Sequence, residues 1–118
     1  MDKLSKVFEL QAGLDEYMKN KRGLINYSSE EWIQKKTLAM ISELSELIDE
    51  VNFKWWKAPK TDNGAAIKGE LVDIFHFFIS MCIDAGLTAD ELFALYAAKN
   101  AENVKRQNGQ SIEKDYSK

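Results

Sequence analysis

The stretch Met40-Ile41-Ser42-Glu43-Leu44-Ser45-Glu46-Leu47-Ile48-Asp49-Glu50-Val51 decides how this chain is read. Its apolar residues recur at spacings of three and four, the period of one helix face, and Glu43, Glu46 and Glu50 follow one edge of that face. Glu70-Leu71-Val72-Asp73-Ile74-Phe75 repeats the arrangement. In both segments the paired acids stand one position before stripe residues, so the two pairs share an angular phase. One stripe is Ile33, Met40, Ile41, Leu44, Leu47, Ile48 and Val51, and the other is Ile67, Leu71, Ile74, Phe75 and Phe78. Antiparallel packing through these stripes would set both acid pairs along one seam.

Carboxylates within ~4–6 Å of one another raise each other's pKa values, so an anionic pocket is tolerable when it holds protons or cations. Oxygen ligands without nearby sulfur, in a chain with one histidine, favour Mg²⁺ or Mn²⁺ over zinc. Charges at such spacings also suit the solvated face of an amphipathic helix. The matched phase of two separate pairs is what favours a shared pocket.

The composition fits one soluble domain: 118 residues, 45% hydrophobic. A net charge of −3 with scattered lysines offers no basic field for nucleic acid. Cys82 is the only cysteine, so an intrachain disulfide is excluded and a cytoplasmic setting is expected. Its expected role is that of a small core residue. The apolar run from Ile74 to Ile83 falls far short of the ~20 residues that span a bilayer, and no membrane association is expected.

A single proline, Pro59, and apolar spacings of three and four throughout predict an all-α chain. The first helix is expected over Asp2–Lys19, with Val7, Leu10, Leu14, Tyr17 and Met18 inward. The second runs from Ser28, whose spacing to Glu31 fits a capping box, to Asn52. The third covers Ala65–Asp84, and the fourth follows a second capping box at Thr88 and reaches Gln107. Short connections make consecutive helices antiparallel, giving a four-helix bundle over residues 1–109 with a frayed polar tail at 110–118. The apolar third helix suggests a homodimer, with a tetramer as the other assembly.

Along the fourth helix the inner face of Leu92 and Tyr96 continues into Lys99, Asn103 and Arg106. A face that turns cationic suits phosphate oxygens, and together with the acids it implies a polyphosphate substrate. Gln11 interrupts the inner face of the first helix and suits the amide-like edge of a base. Trp55 or Trp56 suits stacking on a base, with Lys54 or Lys57 at phosphate. For each of these residues, core packing or solvation is the alternative.

These residues resemble the all-α nucleoside triphosphate pyrophosphatase superfamily, and its dimeric dUTPase branch more than its MazG branch. The likeness covers Phe8 to Gly109 and rests on the order of several elements: Leu10-Gln11-Ala12-Gly13-Leu14-Asp15; Glu43-x-x-Glu46 with Glu50; Phe53-Lys54-Trp55-Trp56; Glu70-x-x-Asp73 continuing to His76 and Ser80; and Lys99 through Asn103 and Arg106 to Gly109. The resemblance implies that Glu43, Glu46, Glu70 and Asp73 hold Mg²⁺, with Glu50 an added acid. It also implies that Gln11 belongs to a base pocket, and that Lys99, Asn103 and Arg106 contact sugar and phosphates. It implies hydrolysis of dUTP, and in that branch often of dUDP, to dUMP; for metal-assisted attack of water, Glu46 is the expected general base among the acids. The chain is shorter than typical members between its third and fourth helices.

Three other readings compete with dUTP hydrolysis. One is a MazG-like or dCTPase-like pyrophosphatase with another base preference. The second is a di-iron bundle built on Asp73-x-x-His76, and the third is a non-enzymatic helical adaptor dimer.

Overall fold

The computed structural model describes all 118 residues, Met1–Lys118, as four helices with no strand. They are α1 (Lys3–Arg22), α2 (Ser29–Glu50), α3 (Gly64–Asp84) and α4 (Ala89–Gln107). The all-α fold class follows, with boundaries shifted for local reasons.

The start of α1 is capped by Asp2, whose carboxylate accepts from the Ser5 N–H. It runs past Lys19 to Arg22, where Gly23 takes the left-handed conformation at φ 66°. The Gly23 and Leu24 N–H groups then donate to the carbonyls of Asn20 and Lys19 and close the last turn. Ser28 and Glu31 form the expected reciprocal capping box of α2. That helix ends early because Asn52 turns left-handed, at φ 59°, and its amide brackets the Lys60 backbone through two hydrogen bonds. At Thr88 only the side-chain half of the second box forms, the hydroxyl accepting from the Glu91 N–H.

Met1–Gly86 forms one compact unit and Leu87–Lys118 a second. Within the first, α2 and α3 are the principal pair and α1 lies against α3. Lys36 pairs with Asp84 near one end and Asn63 donates to the Glu50 carbonyl at the other, so α2 and α3 run antiparallel. Gln11 meets His76 and Asp15 meets Ser80, so α1 runs parallel to α3.

The apolar stripes do not form the core as expected. Phe8, Ile79 and Cys82 are the buried hydrophobic residues, while Ile41, Leu44, Ile48, Val51, Leu71, Phe75 and Phe78 are all exposed. On α1, Leu10, Leu14, Tyr17 and Met18 are exposed and Gln11 is buried instead. A stripe of this width needs partners on more than one side, and a three-helix unit covers only part of each. Cys82 takes its expected core place, and burial raises its thiol pKa.

In the second unit the residues after α4 fold back upon it. Glu113 accepts from Arg106, Ser111 donates to Glu102, and the Tyr116 N–H donates to the Arg106 carbonyl, so the tail expected to fray is tied down. No single helix is long and apolar enough to cross a membrane.

Ile79 is fully enclosed, whereas Leu38 on α2 is 69% exposed. Chemical denaturation of Ile79→Ala is expected to show a loss of about 3 kcal/mol, from lost transfer energy and an unfilled cavity. Leu38→Ala should change stability by less than about 0.5 kcal/mol.

Candidate functional site

The antiparallel register of α2 and α3 brings their acidic segments face to face. Carboxylate oxygens of Glu43, Glu46 and Glu70 all lie within 4.8 Å of one another. Oε2 of Glu43 and Oε2 of Glu70 are buried and have no hydrogen-bond partner. Asp73 adds its charge to Glu43 and lines the same cleft beside it.

Desolvation, then the nearby Glu46 and Glu43, push the Glu70 carboxyl from the usual 4.5 up to about 7. Desolvation and Glu46 likewise raise Glu43. Three oxygen-only donors with two buried oxygens unanswered fit a hard divalent cation such as Mg²⁺ or Mn²⁺. An all-carboxylate set with no histidine or thiolate does not suit zinc, and His76 is not a member of the cluster.

Glu50 does not join the cluster. It is the last residue of α2, and the loop closed by Asn52 swings Lys60 to 2.9 Å from its carboxylate. That ion pair answers the charge without a metal.

Beside the acids opens a cleft of about 590 Å³ among α1, α2 and α3. Its lining passes from Glu43 and Asp73 through Gln11, His76 and Phe77 to Trp32, Lys35 and Lys19. Gln11 is there as expected, but its amide is engaged on both sides. Its Nε2 donates to Asp15 Oδ1 at 2.9 Å, and its Oε1 lies 2.6 Å from His76 Nδ1.

Trp55 and Trp56 are 84% and 58% exposed and pack edge-on against each other, outside the cleft lining. The loop they occupy leaves α2 beyond the acids. Lys54 pairs with Asp49 at 3.5 Å rather than standing free for phosphate. The indole of the cleft is Trp32, packed edge-on against Tyr27, with the Lys19 and Lys36 ammoniums about 5 Å from its ring centroid.

On α4, Lys99 and Asn103 are exposed, but Arg106 is not the open cation expected. It is 8% exposed, donating to Glu102 at 3.1 Å and to Glu113 at 3.0 Å, with Tyr116 beside it. Glu102, one turn earlier on α4, and Glu113 of the folded-back tail take up two of its donors.

Sequence reasoning missed Asp15, Lys36, Ser80 and Asp84. Lys36 Nζ lies 2.6 Å from Asp84 and 3.9 Å from Asp15, and the Ser80 hydroxyl donates to Asp15 at 2.7 Å. Each is polar at a spacing that suits a helix's inner face, and Asp15 and Ser80 also stand in the segments that carry the family resemblance, though neither was given a role.

The raised Glu70 makes a testable pH dependence. Between about 4.5 and 7 the folded chain holds a proton that the unfolded chain has released, so this contribution to stability is lost as pH rises through about 7. Thermal scans without metal should show the melting temperature falling from pH 5.5 to pH 8, with Mg²⁺ restoring it at pH 8. Glu70→Gln should flatten the slope; a melting temperature that climbs with pH over this range would contradict the clustering.

A family profile described as dUTPase matches residues 3–88. A dCTP pyrophosphatase of Enterobacteria phage T4 is 34% identical over 88 residues, an overlap covering 63% of this chain and 52% of the phage protein. A dCTP pyrophosphatase of Enterobacteria phage LZ5 is 55% identical over 42 residues, 36% of this chain and 24% of that protein. A DNA replication protein of Enterobacteria phage T4 is 34% identical over 87 residues, 60% of this chain and 22% of its own length. The chain thus spans about half or less of the length of the curated relatives it matches. No solved structure matches it at a significant level. With the profile covering most of the chain, from α1 through α3, the protein belongs to the dUTPase family of all-α nucleoside triphosphate pyrophosphatases.

Proposed function

We propose that the protein is a Mg²⁺-dependent nucleoside triphosphate pyrophosphohydrolase that converts a pyrimidine deoxynucleoside triphosphate, dCTP ahead of dUTP, to its monophosphate and pyrophosphate. The observation that carries this reading is the Glu43, Glu46 and Glu70 cluster, with two unanswered buried oxygens, beside a cleft of nucleotide size. The dUTP preference implied by family resemblance gives way to dCTP because two of the similar phage proteins are named for dCTP.

Glu43, Glu46, Glu70 and Asp73 would hold the cation, which when bound supplies charge neutralisation at the phosphates and an acidified water. Glu46 is the exposed member of the tight trio, which suits it to accept a proton from attacking water. Gln11 and His76 on the cleft wall face the base, and Trp32 offers the indole for stacking that Trp55 and Trp56 were expected to offer. No nucleophilic side chain is needed.

Incubation with Mg²⁺ and a panel of deoxynucleoside triphosphates should yield dCMP and pyrophosphate. Glu46→Gln should lower kcat by at least about 100-fold. Equal turnover of purine nucleotides would contradict the base preference, and no monophosphate from any nucleotide would contradict the activity.

The working form is proposed to be a homodimer. Ile41, Leu71, Phe75 and Phe78, exposed by 56, 51, 43 and 41%, are more apolar surface than a small monomer leaves in water. Sedimentation equilibrium should return twice the 13.5 kDa chain mass. A monomer at micromolar concentration would contradict this part.

A further inference from the structure

The inner wall of the cleft carries a chain of polar side chains whose hydrogen bonds can point only one way. Asp15 is at its centre, with its side chain 14% exposed between α1, α2 and α3. Its Oδ2 accepts from the Ser80 hydroxyl at 2.7 Å and lies 3.9 Å from the Lys36 ammonium, which Asp84 anchors at 2.6 Å. Its Oδ1 faces the Gln11 amide at 2.9 Å.

A carboxylate has no proton to donate, so the Gln11 group facing it is the NH₂. The Gln11 carbonyl oxygen therefore faces His76 Nδ1, at 2.6 Å. A carbonyl only accepts, so Nδ1 carries the ring proton. In the neutral imidazole the lone pair is then at Nε2, which has no partner within the protein and belongs to a residue lining the cleft.

We infer that Asp15 is a positioning residue that selects the base the cleft accepts, by fixing the direction of the hydrogen bonds from Gln11 to His76. The wall it sets offers an acceptor at His76 Nε2. Cytosine answers it, its 4-amino group donating to His76. Uracil has a carbonyl at position 4 and would set one lone pair against another. The choice of base rests on the function proposed above; the direction of the hydrogen bonds does not.

Asp15→Asn reverses the chain without changing its size. Ser80 and Lys36 are both donors, so they hold the new amide oxygen and turn its NH₂ toward Gln11. Gln11 then presents its oxygen to Asn and its NH₂ to His76 Nδ1, and the ring proton moves to Nε2.

His76 is the only histidine, so ¹⁵N NMR of the full chain reads this proton without assignment. At about pH 8, where an ordinary imidazole is neutral, the wild type should show the Nδ1–H tautomer and Asp15→Asn the Nε2–H tautomer. Nε2–H in the wild type, or an unmoved proton in a folded Asp15→Asn, would overturn the proposal. In steady-state kinetics the preference for dCTP over dUTP in kcat/KM should fall about tenfold in Asp15→Asn, chiefly through KM, the scale of one hydrogen bond. Unchanged preference in the folded variant also overturns it. If the wild type cleaves no nucleotide, the substrate reading fails, and the tautomer alone decides the hydrogen-bond direction.

Discussion

Like charge brought together by helix packing is the constraint on which the rest of this molecule depends. The antiparallel register of α2 and α3 sets Glu43 and Glu46 against Glu70, with Asp73 at hand, and the helices cannot pair in this register without meeting the repulsion. Burial of an oxygen on each of two of these acids sharpens the cost. A proton relieves part of it, which is why Glu70 shifts so far. A divalent cation relieves more, since it answers several oxygens at once.

The cleft's other polar groups show the opposite pattern. Gln11, Asp15, Lys36, Ser80 and Asp84 are also withdrawn from water, yet each has at least one partner within 3 Å. Such a satisfied network fixes how three helices meet and holds the cleft wall rigid. The contrast separates groups that the protein completes for itself from those that it leaves for something else. Glu50, answered by Lys60, and Arg106, answered by Glu102 and Glu113, belong with the first kind in spite of their sequence setting.

Local signals in the sequence carried a good part of the fold. Ser28 with Glu31 and the acids in matched phase depend on neighbours within a turn or two, and these features stand in the structure. Periodicity names a face, however, and not the residue opposite. Whether Gln11 meets His76, or Lys36 meets Asp84, depends on the register between helices, which no single stretch encodes. Loops were the other weak point: the Asn52 to Lys60 bracket diverts Glu50, and the return of the tail captures Arg106. The stripes of α2 and α3 were also wider than one neighbour can cover, so Ile41 and Phe75 stay exposed in a single chain.

Crystals grown with Mn²⁺ and recorded near the manganese absorption edge test the central claim most directly. Anomalous density is expected within about 2.5 Å of carboxylate oxygens from both α2 and α3, between Glu43, Glu46 and Glu70. Density bound elsewhere, or none at saturating Mn²⁺, would contradict it.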